Sequence, residues 1–486
     1  MFATGNIKRQ KTREQTRSLD NDNFPGKRDA EFARQTYNIK RQKTREQTRS
    51  LDNDNFPAMG RIDYKPDASY SHHEDNFYYR YYNSNERLHG RTMEDWMRPS
   101  IFLGKAFTPY PGCSPRPWSE NPITLYNMQN MHSLENYKRG VRAMFELCMK
   151  MGIKYWSGYD RDLAPEGETS EETQYNYEQV VDLIQEYQQK SGIRPLWIGI
   201  DFKNTYKFRN GAVTNPESSI VTYAGYQTKR ALDIANKLGA ENVMFSASQE
   251  GYFNIMNTDI TRELKNFHKF LKLMIEHKDR IGYRGQLLMQ TAYDNRKAFR
   301  DEGYKYCYDF PSTLCFLKHY NFERQFKLVV KPGHFSYMAN MYGCLGSIDI
   351  KHKNLYDVQK AAMTMKMIVE NGGISPGGLT FYVPHHKSTF DAKDLAEAFI
   401  TAVDTYAKAL RIAVKFINDI QLNKSIQMRY VSFSSGWGSK FNSSEANLDD
   451  CDDQIRKQEP NIMQPPPSRS EHWYAVLTRN METPFK

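Results

Sequence analysis

Eight short apolar runs punctuate the middle of this chain: SIFLGKA (100–106), IKYWSGY (153–159), RPLWIGID (194–201), NVMFSAS (242–248), QLLMQT (286–291), KLVVKPG (327–333), LGSIDI (345–350) and LTFYVP (379–384). Their length suits strands, and amphipathic stretches lie between most of them. Over 217–238, for instance, Val221, Ala224, Ala231, Ile234, Ala235 and Leu238 recur at three- and four-residue spacing and so share one helical face. This alternation predicts an α/β fold, a parallel sheet closed into a (β/α)8 TIM barrel. A doubly wound open sheet competes with it, because periodicity does not show closure. In a barrel, chemistry gathers where the strands end. Here those ends are Tyr159-Asp160, Asp201, Ser248 to Glu250, Gln290 to Ala292, Lys331 to His334, Asp349 to Lys351 and Tyr382 to His386.

The flanks differ in composition. Residues 1–58 are polar and basic, 59–442 carry the periodic apolar segments, and 443–486 turn polar again. The whole chain has 486 residues and a formal charge of +10, which favours acidic partners. Its six cysteines are scattered with no Cys-x-x-Cys pair, as expected of a reducing compartment. No apolar run reaches the roughly eighteen residues of a membrane span, and no secretory signal is evident. A cytosolic protein is the expectation.

Beyond the periodicity, several phrases carry a resemblance. YRYYN and GRTMEDWMR (79–98), MGIKYWSGYDRDLAPEG, GIRPLWIG, RNGAVTNP (209–216), LGAENVMF, EGYFNIMNTD (250–259), LGSID (345–349), ENGGISPGG (370–378), FDAKDLAEAF and RYVSFSSGWG (429–438) together resemble the xylose isomerases of the longer class, over most of residues 75 to 442. The resemblance implies a metal-dependent barrel that interconverts aldoses and ketoses, with a His–Asp pair and a cage of carboxylates around two divalent ions.

Position by position, the cage is depleted. Tyr159 stands at the family's His position beside a retained Asp160, and a phenol titrating near ~10 is a poor base at neutral pH. Ser246 stands at a pocket Trp, Gln290 at the bridging Glu, Ala292 at a Lys, Lys331 at another Glu and Tyr382 at the last ligand Asp. His334 and Asp349 still match, while the segment with two further aspartates is missing between SIDIKHKN and LYDVQKAAMTMK. Hard divalent ions need several carboxylate oxygens. The expectation is therefore no metal, no cofactor and a catalytically inactive barrel, with Lys331 replacing the lost charge and pairing with Asp349. Weaker motifs read as structure: His72-His73-Glu74-Asp75 and His385-His386 as polar loops, the paired glycines at 372–373 and 377–378 as turns, and YYRYY (78–82) as packing of the extension onto the barrel.

An inactive barrel moves the search for function to the arms. The twenty residues from Asn6 to Pro25 return unchanged from Asn38 to Pro57. Lys8, Arg9, Lys11, Arg13 and Arg17, then Lys40, Arg41, Lys43, Arg45 and Arg49, outnumber the acids in each copy. Two identical basic segments suit two identical acidic sites, spaced about 48 Å apart if the intervening chain is helical. The sequence thus predicts a scaffold on an acidic filament, with tubulin and neighbouring microtubule-associated proteins as partners in the cytoskeleton of a cilium or flagellum, and with HWYAVLTRNMETPF as a second tether. A sugar isomerase or epimerase-type enzyme with metal-independent chemistry, drawing on Asp160, Asp201, Glu250, His334 or Asp349, is the alternative. A nucleic-acid-binding protein is a third, suggested by charge alone.

Overall fold

The computed structural model describes residues 60–68, 77–104, 106–107, 133–203, 205–292, 303–383, 392–457 and 465–482. Both basic repeats, His72-His73-Glu74-Asp75 and His385-His386 lie outside those residues.

All eight apolar runs are strands: β1 (Pro99–Phe102), β2 (Tyr155–Tyr159), β3 (Arg194–Ile200), β4 (Asn242–Ser246), β5 (Gln286–Gln290), β6 (Phe326–Val330), β7 (Leu345–Lys351) and β8 (Leu379–Tyr382). Each pairs in parallel with the next, and β8 pairs back onto β1 through Leu379↔Pro99, Thr380↔Ser100 and Phe381↔Ile101. That last ladder closes the sheet and decides against the open topology. Each strand is followed by a helix: α1 (Leu134–Met151), α2 (Ser170–Ser191), α3 (Ser218–Leu238), α4 (Ile260–Arg280), α5 (Phe310–His319), α6 (His334–Met341), α7 (Val358–Glu370) and α8 (Ala392–Ile417).

Local chemistry sets the helix limits. Ser133, Thr169, Asp259, Asp309 and Asp357 each precede a helix and accept a hydrogen bond from a first-turn N–H. At the other end, Gly152, Gly192 and Gly239 take φ of 66°, 71° and 63°, the left-handed conformation that stops α1, α2 and α3 and turns the chain into the next strand.

Period-two alternation divides the strand residues between two cores. Ile101, Trp156, Ile198, Val243, Phe245, Leu287, Met289, Leu328, Ile348, Ile350 and Phe381 face outward into the layer shared with the helices. Phe102, Tyr155, Trp197, Met244, Leu288 and Val329 fill the lumen, with Tyr159 and Tyr382 packed on them. Small polar side chains stitch the middle of the lumen: the Ser100 hydroxyl lies 2.9 Å from that of Ser157 and 3.0 Å from that of Thr380, which also accepts from the Trp197 indole at 2.9 Å. At the amino end, Arg98 closes the barrel by pairing with Glu241 and donating to the Gly377 carbonyl at 2.6 Å.

Residues before β1 are clamped by α8. The Asp404 carboxylate accepts the backbone N–H groups of Arg80, Tyr81 and Tyr82 at 3.2, 2.6 and 2.8 Å, while Tyr79 and Tyr82 are buried edge to face. The tyrosine cluster is therefore packing, as its position suggested. Beyond α8 come α9 (Ile420–Arg429), α10 (Gly436–Asn442), α11 (Leu448–Lys457) and α12 (Ser470–Glu482). Within α12, Leu477 is buried in the helix-layer core, with Val476 and Met481 packed against it.

Candidate active site at the carboxyl ends of the strands

The mouth of the barrel is built on side chains that end β2, β4, β5, β7 and β8. Tyr159 donates its hydroxyl to Gln290 Oε1 at 3.0 Å, and Ser246 donates to the same oxygen at 3.3 Å. Gln290 Nε2 in turn donates to Asp349 Oδ2 at 2.7 Å. The Lys351 ammonium also reaches Asp349 Oδ2, at 3.0 Å, and lies 4.0 Å from the centre of the Tyr382 ring. Phe102 packs on Tyr382 with ring centroids 4.2 Å apart.

Burial, and then the Asp349 carboxylate, push the Tyr159 hydroxyl well above the usual phenol range. Burial and the same carboxylate act on Tyr382 in the same direction. Both phenols are therefore neutral donors, and neither serves as a base. Asp349 is 2% exposed. Its Oδ2 is occupied by an amide and an ammonium, whereas its Oδ1 and the Tyr382 hydroxyl are buried without a well-formed hydrogen bond, the Tyr382 hydroxyl lying close enough to Asp349 and Tyr159 to interact weakly with both. A buried oxygen left without a good hydrogen bond is costly, about 1–3 kcal/mol, and calls for a partner such as water or a ligand's polar group.

Of the sequence-predicted residues, the fold thus brings Tyr159, Gln290, Asp349 and Tyr382 together. Others go elsewhere. Asp160 is fully buried against α3: its Oδ1 accepts the Asp201 N–H at 2.9 Å and its Oδ2 is 3.7 Å from the Arg230 guanidinium. Glu250, also fully buried, accepts the N–H groups of Ala212, Val213 and Thr214 and the Thr214 hydroxyl, at 2.7 Å for the last, and so pins the loop before α3. The Asp201 carboxylate accepts the Lys203 N–H at 2.8 Å. His334 is exposed at the first turn of α6, and Ala292 donates its N–H to the Cys307 carbonyl at 2.9 Å. Lys331 is half-buried just past β6.

The partner expected of Lys331 is taken by Lys351. Residues 349 and 351 are two apart on one strand, so their side chains share a face and the ammonium lies beside the carboxylate. A signal was present in the sequence, since LGSIDIK carries Asp and Lys at strand spacing, but the lysine lay one residue beyond the apolar run.

The divalent ions implied by the family do not fit what is here. Among the described residues, no three His, Cys, Asp or Glu side chains converge as a metal site. The one retained carboxylate already holds a cation and an amide on one oxygen. Hard divalent ions need a cage of oxygens.

No family model matches the chain. Curated proteins do. The xylose isomerase of Hordeum vulgare is 31% identical over 396 residues, covering 76% of this chain and 80% of that protein. Those of Bacillus velezensis (32% over 386 residues, 74% of this chain and 83% of theirs) and Rhodopirellula baltica (33% over 398 residues, 76% and 87%) agree. Among solved structures, 3-keto-D-glucoside 4-epimerase from E. coli superposes with a TM-score of 0.41 at 10% identity, over 65% of this chain and 98% of that one, too slight a likeness to argue from.

These relatives correct two expectations. They carry the names of enzymes, and likeness on this scale points to an enzyme, not to a catalytically inactive member of the family. It likewise overturns the scaffold on microtubules and its cytoskeletal or ciliary setting, since these relatives give no indication of a filament-binding protein. Loss of the carboxylate cage does not entail loss of chemistry, because a different charged pair, Asp349 and Lys351, stands at the same strand ends. No helix among the described residues is long and apolar enough to cross a membrane.

Proposed function

The chain belongs to the xylose isomerase family, and on that premise we propose that it is a sugar isomerase or epimerase-type enzyme, moving a proton at a carbon next to a sugar carbonyl. The observation that carries this reading is the buried Asp349, whose Oδ2 is held by the Gln290 amide and the Lys351 ammonium while its Oδ1 makes no well-formed hydrogen bond. A carboxylate held by one oxygen keeps the other for a proton, which is what a general base requires. Gln290, itself held by Tyr159 and Ser246, fixes the carboxylate's orientation. Tyr382, kept neutral by its surroundings, donates to a sugar oxygen, and the Phe102 ring supplies an apolar wall against the sugar's C–H face.

The test is solvent exchange. The full chain is incubated in D2O with a panel of aldopentoses, aldohexoses and their ketoses, and deuterium at the carbons flanking the carbonyl is followed by NMR. The expected result is exchange into at least one sugar by the wild-type protein, lowered about 10²- to 10⁴-fold in Asp349→Asn. Exchange undiminished in Asp349→Asn refutes the assignment of the base.

A further inference from the structure

We propose that the Lys351 ammonium is a catalytic residue of this enzyme, the fixed cation that stabilises negative charge on the sugar's carbonyl oxygen, so that turnover needs no divalent ion. The inference rests on the sugar-enzyme reading above and deepens it. Four observations support it. Lys351 ends β7 at the barrel mouth, 84% shielded from solvent along its side chain (16% exposed), where a charge acts with little screening. Two neighbours hold it in place: Asp349 Oδ2 at 3.0 Å and the face of the Tyr382 ring at 4.0 Å. Asp349 Oδ1 and the Tyr382 hydroxyl, neither of which makes a well-formed hydrogen bond, belong to those same two residues, so a sugar oxygen bound by them lies against the ammonium. Finally, the described residues offer no alternative cage for a metal ion.

The chemistry balances within the site. Asp349 takes the proton from the carbon next to the carbonyl. That C–H electron pair becomes the new carbon–carbon double bond, and the carbonyl π pair moves onto oxygen, giving an enediolate whose charge faces Lys351. The enediolate oxygen then takes a proton from the neighbouring hydroxyl, and Asp349 returns its own proton to the adjacent carbon. An aldose thereby becomes a ketose with no oxidant, reductant or added group. Lys351 donates hydrogen bonds throughout and forms no covalent bond. Preorganised donors at a developing oxyanion typically contribute about 10²- to 10³-fold to kcat.

The experiment uses the full chain, stripped with chelator and checked for residual metal by elemental mass spectrometry, in the D2O exchange assay with and without added Mn²⁺. Lys351→Met and Lys351→Arg are run in parallel, and sugar binding is measured for each by calorimetry. The expected result is exchange by the stripped wild type that Mn²⁺ does not raise, a loss of about 10²- to 10³-fold in kcat for Lys351→Met with sugar affinity changed less than tenfold, and partial recovery in Lys351→Arg. Should Lys351→Met bind no sugar at all, the recovery in Lys351→Arg decides between a catalytic cation and a merely structural side chain, and absence of recovery overturns the inference. Exchange that appears only on adding Mn²⁺ overturns it and leaves the sugar-enzyme reading intact. Inactivation by borohydride in the presence of sugar, with the sugar's mass added at Lys351, replaces the fixed cation with an imine and also overturns it. Absence of exchange and of binding under every condition defeats both readings together.

Discussion

Gly199, near the end of β3, faces the lumen beside the ring of Tyr159, and a methyl group there tests how tightly the site is held. A Cβ on Gly199 meets Tyr159 Cδ1 at 2.6 Å, Cε1 at 2.9 Å and Trp197 Cζ3 at 3.1 Å. Carbon atoms in favourable contact sit about 3.5–4.0 Å apart, so the nearest overlap is about 1 Å. The Tyr159 ring has little room to yield, being packed edge-on to Phe102 and Trp197 with centroids 5.8 and 5.5 Å away. Overpacking of this kind costs about 1–3 kcal/mol. If the ring swings out, the hydroxyl also releases Gln290, adding about 1 kcal/mol and loosening the amide on Asp349. Gly199→Ala is therefore expected to lose about 2–4 kcal/mol of stability in urea denaturation, with a fall in exchange activity. The decisive comparison is made in a Tyr159→Ala background, where the ring is absent and the same methyl group fills space. There its cost drops to near zero or turns favourable, a coupling of about 2–4 kcal/mol. Additive costs would refute the clash, and an unchanged wild-type midpoint would refute the packing of the mouth as described.

Two further perturbations probe the frame. Burial raises the Glu250 carboxyl against the opposing pull of its hydrogen bonds to Thr214, Ala212 and Val213. A carboxyl raised in the folded state is still protonated there when the unfolded chain ionises near ~4.3, so its contribution to stability is fullest below that pH and declines as pH rises to the raised value. The stability lead of wild type over Glu250→Gln is thus expected to shrink across that window in urea titrations, and a lead that grows with pH contradicts the assignment. At the C-terminal end, Leu477→Ala removes a buried side chain from α12. A loss of about 2–3 kcal/mol is expected, at the low end for buried leucines because a single helix can relax. It appears as faster amide exchange over residues 470–482, and exchange indistinguishable from wild type argues that α12 does not depend on this contact.

Much of the architecture was legible from the sequence because it is written at short range. Strand and helix periodicities differ, and each of the eight apolar runs became a barrel strand within a few residues of its expected limits. Lys150-Met151-Gly152 and Leu238-Gly239 announce helix ends because only a residue tolerant of positive φ stops the helix there. The strand-end rule also located Tyr159, Gln290, Asp349 and Tyr382 correctly at one end of the sheet.

Which of the strand-end residues meet was another matter. Tyr159 and Gln290 are 131 positions apart, and Gln290 and Asp349 are 59 apart. Their hydrogen bonds exist only because β8 closes on β1 and brings the ends of non-adjacent strands across one lumen. Asp160 immediately follows Tyr159, yet it turns to Arg230 on α3, since it starts a short helix just past the strand. Matching residues one by one against a known cage registered the missing carboxylates but not a new ion pair, because charge pairing depends on distance in space. Spacing along the chain was enough to read eight strands alternating with helices and the end of the sheet at which chemistry gathers. Only the tertiary structure placed Lys351 on Asp349 and left one carboxylate oxygen open, because closure and side-chain direction, not spacing along the chain, decide which groups share a site.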